Sequence, residues 1–225
     1  MRRIIIAIDG PAASGKSTAA KLLAGKLGYI YIDTGAMYRA CALAAKNQKT
    51  DIEDYSALSE LMNFIDLDIQ YHEHGNKTIL NHEDVSLAIR EPDISKLASA
   101  ISAKALVREK MVDLQRKLGR EGGVVLDGRD IGTVVFPHAE LKFFLIAPVE
   151  TRAQRRYLEL REKGLDPVYE TVLQEMEERD NADSSRALAP LIPADDAISI
   201  DTGPLSIQQL VETLYAHYNA AFEGS

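Results

Sequence analysis

The segment Gly10 to Ser17 constrains this chain more than any other, because it fits G-x-x-x-x-G-K-[S/T] with Gly10, Gly15, Lys16 and Ser17 at the fixed positions. Its surroundings fit as well. Arg3 to Ile8 is a short, apolar, β-branched run and reads as a buried strand. Ser17 to Leu27 reads as a helix, with Ala20, Leu22, Leu23, Ala24 and Leu27 on one apolar face. A strand, a glycine-rich turn and a helix N-terminus together form a phosphate cradle. Glycine lets the backbone approach the anion and point N–H groups at it. The helix end adds unpaired donors and a partial positive charge. Gly10, Pro11, Ala12, Ala13, Ser14, Gly15, Lys16, Ser17 and Thr18 are therefore candidate phosphate binders. Lys16 would reach the outer phosphates, and Ser17 would ligate Mg²⁺.

Downstream, strands and helices alternate. Tyr29 to Ile32 reads as a strand, and Ala36 to Lys46 and Asp54 to Ile65 read as helices. Asp68 to Val85 breaks the rhythm. Its alternating residues around His74-Gly75-Asn76 predict antiparallel strands. Ile94 to Leu118 returns to helix. Gly123 to Leu126 and Leu141 to Ala147 read as strands, and Glu150 to Lys163 as an arginine-rich helix. Asp166-Pro167 reads as an N-cap followed by proline at the first helical position. A short strand at Ala197 to Ile200 and an amphipathic helix at Leu205 to Phe222 close the chain. This order predicts an α/β fold with a parallel sheet and a site at its carboxyl edge.

Four constellations have two readings each. Asp33 and Thr34 could cap the helix that follows, leaving Arg39 solvated, or Thr34 and Arg39 could face an acceptor phosphate. Asp127-Gly128-Arg129-Asp130 follows an apolar strand, where an acidic residue can hold a Mg²⁺ shell. The Asp-Gly pair alone would justify a plain turn. Arg152, Arg155 and Arg156 share a helical face, with Arg161 beyond. They are either a wet surface paired with Glu159 and Glu162 or groups that neutralise a transferring phosphoryl. Arg179, Asp183 and Arg186 also have helical spacing, and the residues alone favour an ion pair over acceptor contacts.

Composition narrows the class. A net charge of −8 argues against a general nucleic-acid-binding surface. Cys41 is the single cysteine, so no internal disulfide is possible and a reducing, cytoplasmic setting is expected, with Cys41 a buried thiol in an Ala/Leu-rich helix. Arg2 and Arg3 before Ile4 to Ile8 resemble the start of a signal peptide, but the apolar run is short and Asp9 ends it. No stretch reaches transmembrane length, so no membrane partner is expected. His72, His74, His82, His138 and His217 lack zinc-like spacing. With no long apolar seam, a monomer is expected.

The motifs "GPAASGKST", "DTGAMYR", "LDGRDIGTVVFP", "RRYLELREKG", "ERDNADSSRALAPL" and "LSIQQLV", in this order, resemble bacterial cytidylate kinase. The resemblance runs from the phosphate loop nearly to the C-terminus. It implies one domain over residues 1–225, with a P-loop core, an antiparallel-strand insert at about 36–110 that binds the nucleoside monophosphate, and a short helical lid at about 150–165. It implies ATP with Mg²⁺ as donor and CMP or dCMP as acceptor. Thr34, Arg39 and Arg129 would line the CMP site. Ser99, Arg108 and Asp130 would contact cytosine, and Arg179, Asp183 and Arg186 would complete the acceptor site. Lys16, Asp127, Arg129 and the lid arginines Arg152 and Arg156 would serve catalysis, and Ser17 the metal, with Asp127 acting through water. Thr34 stands where serine is common, and Ser184 and Ser185 lie in a segment that is often more basic.

Rival readings are a P-loop kinase with another acceptor (UMP, AMP or a metabolite) and a regulatory nucleotide switch. The switch lacks its usual signatures. Asn76-Lys77 is followed by Thr78-Ile79 rather than x-Asp, and D-x-x-G is absent.

Overall fold

The apolar run after Arg3 forms β1 (Ile5–Asp9), at the centre of a five-stranded sheet in the order β2-β6-β1-β7-β8. The computed structural model describes residues 3–71 and 76–222. Arg2, His72, His74 and the expected turn at His74-Gly75 lie outside them. The other strands of this sheet are β2 (Ile30–Asp33), β6 (Val124–Gly128), β7 (Leu141–Ile146) and β8 (Ile198–Asp201). β1 runs parallel to β6, with Ile8 opposite Asp127, and parallel to β7, with Asp9 opposite Phe144. β7 is parallel to β8.

The chain divides into two compact units. One joins the residues up to Ile32 to those from Glu121 onward, and the other is Asp33–Arg120. In the first, α1 (Lys16–Leu27) and α8 (Ile207–Phe222) bury Ala20, Leu23, Leu210 and Leu214 against Ile6, Ile8, Phe143 and Leu145. Strands that are apolar on both faces are those of a covered parallel sheet.

The Asp33–Arg120 unit contains α2 (Thr34–Gln48), α3 (Tyr55–Phe64), α4 (Pro92–Ile101) and α5 (Ala105–Gly119). It also holds a small antiparallel sheet of β3 (Leu67–Gln70), β4 (Lys77–Leu80) and β5 (Glu83–Asp84). Cys41 is buried there with its Sγ 3.6 Å from Met111 Sδ. Burial pushes its thiol up to about 12, so it stays protonated and inert at neutral pH.

Two boundaries differ from the sequence reading. The helix expected over Ile94 to Leu118 is two helices, α4 and α5. At the join, Ser102 Oγ donates to Ser99 O at 2.8 Å, and Ala103 and Lys104 make tight i→i−3 backbone bonds. A serine hydroxyl that bonds a backbone carbonyl competes with the helix ladder, and no glycine or proline marks the join. Asp166-Pro167 does not begin a helix. α6 (Val149–Glu162) is followed by α7 (Tyr169–Ser185), whose N-cap is Val168 and carries no side-chain cap. Its first turn falls where Tyr169 packs edge-on to Tyr157, with ring centroids 6.1 Å apart.

Candidate active site

β1 delivers the chain to the phosphate loop through Asp9 and Gly10. A Cβ on Gly10 would lie 2.4 Å from Leu145 O, so only glycine lets the loop start this close to β7. Gly15 is the N-cap of α1 with φ +89°, no side chain caps the helix, and its first turn holds no acidic residue. The helix N-terminus is thus left to an anion from outside. Lys16 is buried and donates from Nζ to Pro11 O at 2.9 Å. Burial, reinforced by the positive Arg129, brings its amine down to about 7. Ser17 and Thr18 are exposed on the first turn. Pro11, Ala12 and Ala13 are half-buried and Ser14 is fully buried.

β6 ends at the second motif. Ser17 Oγ donates to Asp127 Oδ2 at 2.6 Å, and Tyr31 Oη donates to Asp127 Oδ1 at 2.8 Å. Register explains the first bond, because Ile8 and Asp127 are paired across β1 and β6, one step from the loop. The plain-turn reading of Asp127-Gly128 is not what forms. Instead Asp130 is buried and leads into a single π-turn, Ile131–Val135.

Arg129 Nε donates to Asp183 Oδ2 at 2.8 Å, and Arg186 Nη2 donates to Asp183 Oδ1 at 2.9 Å. Burial alone would raise Asp183, but Arg129 and Arg186 outweigh it and hold its carboxyl below the usual range. Arg179 lies one helical turn before Asp183 on α7. Asp183 therefore bridges two guanidinium groups from different elements, a cationic cluster that suits a phosphate.

The arginines of α6 separate into different environments. Arg152 is buried and reaches Ala147 O, Ala12 O and Asp180 Oδ2. Arg155 reaches Thr202. Arg156 pairs with Glu159 at 2.8 Å, and Arg161 lies over the Tyr157 ring, 5.9 Å from its centroid. Arg156 has the Glu159 partner that a wet surface would give it, whereas Arg152 and Arg155 are held by other parts of the fold.

In the Asp33–Arg120 unit, Asp33 Oδ1 caps α2 by accepting from Ala36 N at 2.8 Å, and its Oδ2 accepts from Arg39 Nη2 at 2.9 Å. The capping reading holds for Asp33, but Arg39 is only 20% exposed in its side chain, so it is not a solvated residue. Thr34 is buried at the first position of α2. Ser99 lies on α4. Arg108 on α5 is buried, donates to Ser102 O at 3.3 Å and lies over the Tyr38 ring, 5.8 Å from its centroid.

Two residues escaped the sequence reading. Asp9 accepts from Ile131 N at 2.9 Å and Gly132 N at 2.8 Å, so one carboxylate ties the phosphate-loop strand to the segment just after Asp130. Burial pushes its carboxyl up to about 7, despite those two N–H donors. Its signal was an aspartate ending an otherwise apolar strand. Thr202 follows β8 and donates to Ser14 O at 2.9 Å. Its only signal was its place just past a strand end on the same edge as the loop. Among the described residues, no group of three or more His, Cys, Asp or Glu is placed to hold a metal, and no helix is long and apolar enough to cross a membrane.

A family model described as cytidylate kinase matches residues 6–220. Cytidylate kinases of Bacillus cereus (strain B4264) and Bacillus thuringiensis (strain Al Hakam) are each 48% identical over 221 residues, covering 98% of this chain and 98% of theirs. An uncharacterized protein from Eubacterium ventriosum aligns with TM-score 0.52 at 14% identity, covering 97% of this chain and 99% of that one. A gluconokinase from Sinorhizobium meliloti aligns with TM-score 0.50 at 15% identity, covering 99% of this chain and 97% of that one. At those identities the likeness is one of fold.

Proposed function

The chain belongs to the cytidylate kinase family, which makes it an ATP-dependent phosphotransferase acting on CMP or dCMP, and we propose that the Gly10–Thr18 loop, Asp127, Arg129 and the arginines of α6 and α7 carry out the transfer. The observation that carries this assignment is a convergence within one unit. The loop follows β1, Asp127 near the end of β6 accepts from Ser17, and Arg129 just past β6 is held by Asp183 at the end of α7, which also holds Arg186.

The acceptor is already a phosphate anion at neutral pH and needs no strong base. The protein's part is then positioning and charge neutralisation. Lys16 and the loop N–H groups hold the donor phosphates. Arg129 faces the transferring phosphoryl, with Asp183 fixing its guanidinium. Arg156 adds charge from α6, and Arg152 acts through the loop carbonyl it holds.

Magnesium fits the pair formed by Ser17 Oγ and Asp127 Oδ2, two hard oxygens 2.6 Å apart. Mg²⁺ takes one or two protein oxygens and completes its shell with water and phosphate. Ser17 would hold it directly and Asp127 through water. When bound, the ion neutralises charge on the donor phosphates.

For the acceptor, we assign Thr34 and Arg39 of the Asp33–Arg120 unit to CMP, and Ser99 and Arg108 of that unit to its base. In the other unit, Arg129, Arg179, Asp183 and Arg186 are assigned to CMP and Asp130 to cytosine. Cytosine carries an N4 amine where uracil carries a carbonyl. A buried carboxylate accepts from the amine but faces an acceptor in uracil, and the unmet charge discriminates strongly. The protein is taken to act as a cytoplasmic monomer without a nucleic-acid partner. A single mass of one chain by light scattering is the expected result.

The test is ADP release from ATP and Mg²⁺ with CMP, dCMP, UMP, AMP and shikimate offered separately. Product with CMP and dCMP and little with UMP supports Asp130 as the base reader. Equal use of UMP would sink that assignment while keeping the kinase.

A further inference from the structure

A loop that points its N–H groups at an anion turns its carbonyls away, because each peptide is planar and trans. Carbonyls turned into protein need donors. Three carbonyls of the phosphate loop have donors from side chains. Pro11 O accepts from Lys16 Nζ at 2.9 Å, Ala12 O from Arg152 Nη1 at 3.3 Å, and Ser14 O from Thr202 Oγ1 at 2.9 Å. The peptide of Ser14 O is also the peptide of the Gly15 N–H, so whatever holds the oxygen aims the hydrogen.

Thr202 is built to be that holder. It is 1% exposed. Its N–H donates to Ile146 O at 2.7 Å, which pins it to the end of β7. Arg155 grips it twice, Nη1 donating to Oγ1 at 3.2 Å and Nη2 donating to its carbonyl. A hydroxyl has a single proton. With Arg155 donating to Oγ1, that proton is left for an acceptor, and Ser14 O at 2.9 Å is nearer than Ile146 O at 3.2 Å. α6 thereby acts on the loop twice, directly through Arg152 and through Thr202 by way of Arg155.

We propose that Thr202, oriented by Arg155, is a positioning residue for the donor nucleotide: it fixes the Ser14–Gly15 peptide so that the Gly15 N–H faces the phosphates. The proposal rests on Gly10–Thr18 being the ATP loop.

The test compares Thr202→Val, which keeps the shape and removes the hydroxyl, with Thr202→Ser, which keeps the hydroxyl and removes the methyl. An orphaned buried carbonyl and a loosened N–H predict a roughly tenfold weaker ATP affinity for Thr202→Val, with the KM for CMP unchanged. Thr202→Ser restores ATP affinity to within about twofold even where it melts lower. ATP affinity unchanged in Thr202→Val, or lost equally in Thr202→Ser, overturns the proposal, since the methyl or nothing would then be at work. Should Thr202→Val not fold, Arg155→Gln releases the same hydroxyl. It must weaken ATP and spare CMP, and failure to do so is equally decisive. Lys16→Ala separates the premise: full ATP affinity in that variant refutes the loop assignment itself, whatever Thr202 does.

Discussion

Arg152 and Arg156 sit four residues apart on α6, yet the structure gives them opposite consequences on truncation. The Arg152 side chain is 5% exposed and pairs with Asp180 at 23%, while also donating to Ala147 O and Ala12 O. Removing one partner of a buried pair costs about 3–5 kcal/mol, because the other charge stays behind. The Asp180 side chain retains some contact with water, so the low end, about 3 kcal/mol, applies to Arg152→Ala. For a chain of this length each kcal/mol moves Tm by about 2–4 °C, so the midpoint should fall by about 6–12 °C. Arg156→Ala removes a pair whose side chains are 27% and 47% exposed, and solvent screening leaves it worth well under about 1 kcal/mol. Its Tm should move by less than about 3 °C. The assay is thermal unfolding by circular dichroism, with Asp180→Ala and the double variant completing the cycle. Removing both charges should be milder than the sum of the singles, because no ion is stranded. A melt for Arg152→Ala within about 2 °C of the parent, or strictly additive singles, would refute the claim that Arg152 is a buried brace rather than a surface charge.

Two further outcomes follow from the site. Lys16 titrates near 7 without nucleotide because burial disfavours its charge, and phosphates beside it must raise that value. ATP binding therefore takes up protons above neutrality and weakens as pH rises through about 7 and beyond. Binding calorimetry at pH 8 in buffers of different ionisation enthalpy should show net uptake, and none would contradict the assignment. Asp9→Asn keeps one acceptor but turns an NH₂ toward Ile131 N or Gly132 N, loosening the backbone beside Asp130. The ratio of kcat/KM for CMP over UMP should drop several-fold, and an unchanged ratio would mean that Asp9 does not set the base reader.

Much of this molecule was legible in order of residues alone. Gly10, Gly15, Lys16 and Ser17 announce a phosphate cradle because the chemistry needs close backbone approach and a helix end, and both are local properties of the chain. The apolar runs at β1, β6 and β7 announce a covered parallel sheet for the same reason. What composition and spacing could not show was which polar groups would meet after folding. Arg152, Arg155, Arg156 and Arg161 look alike on a helix, and only packing buries Arg152 against α7 and the loop, ties Arg155 to Thr202, and leaves Arg156 and Arg161 to partners on α6 itself. The split of α4 from α5 falls at Ser102 to Lys104, where no glycine or proline marks it. Asp9 meets Ile131 across 122 positions of sequence and Thr202 meets Ser14 across 188. Local chemistry determined that a phosphate would be held here. Strand register, which pairs residues far apart in sequence, decided what holds the holder.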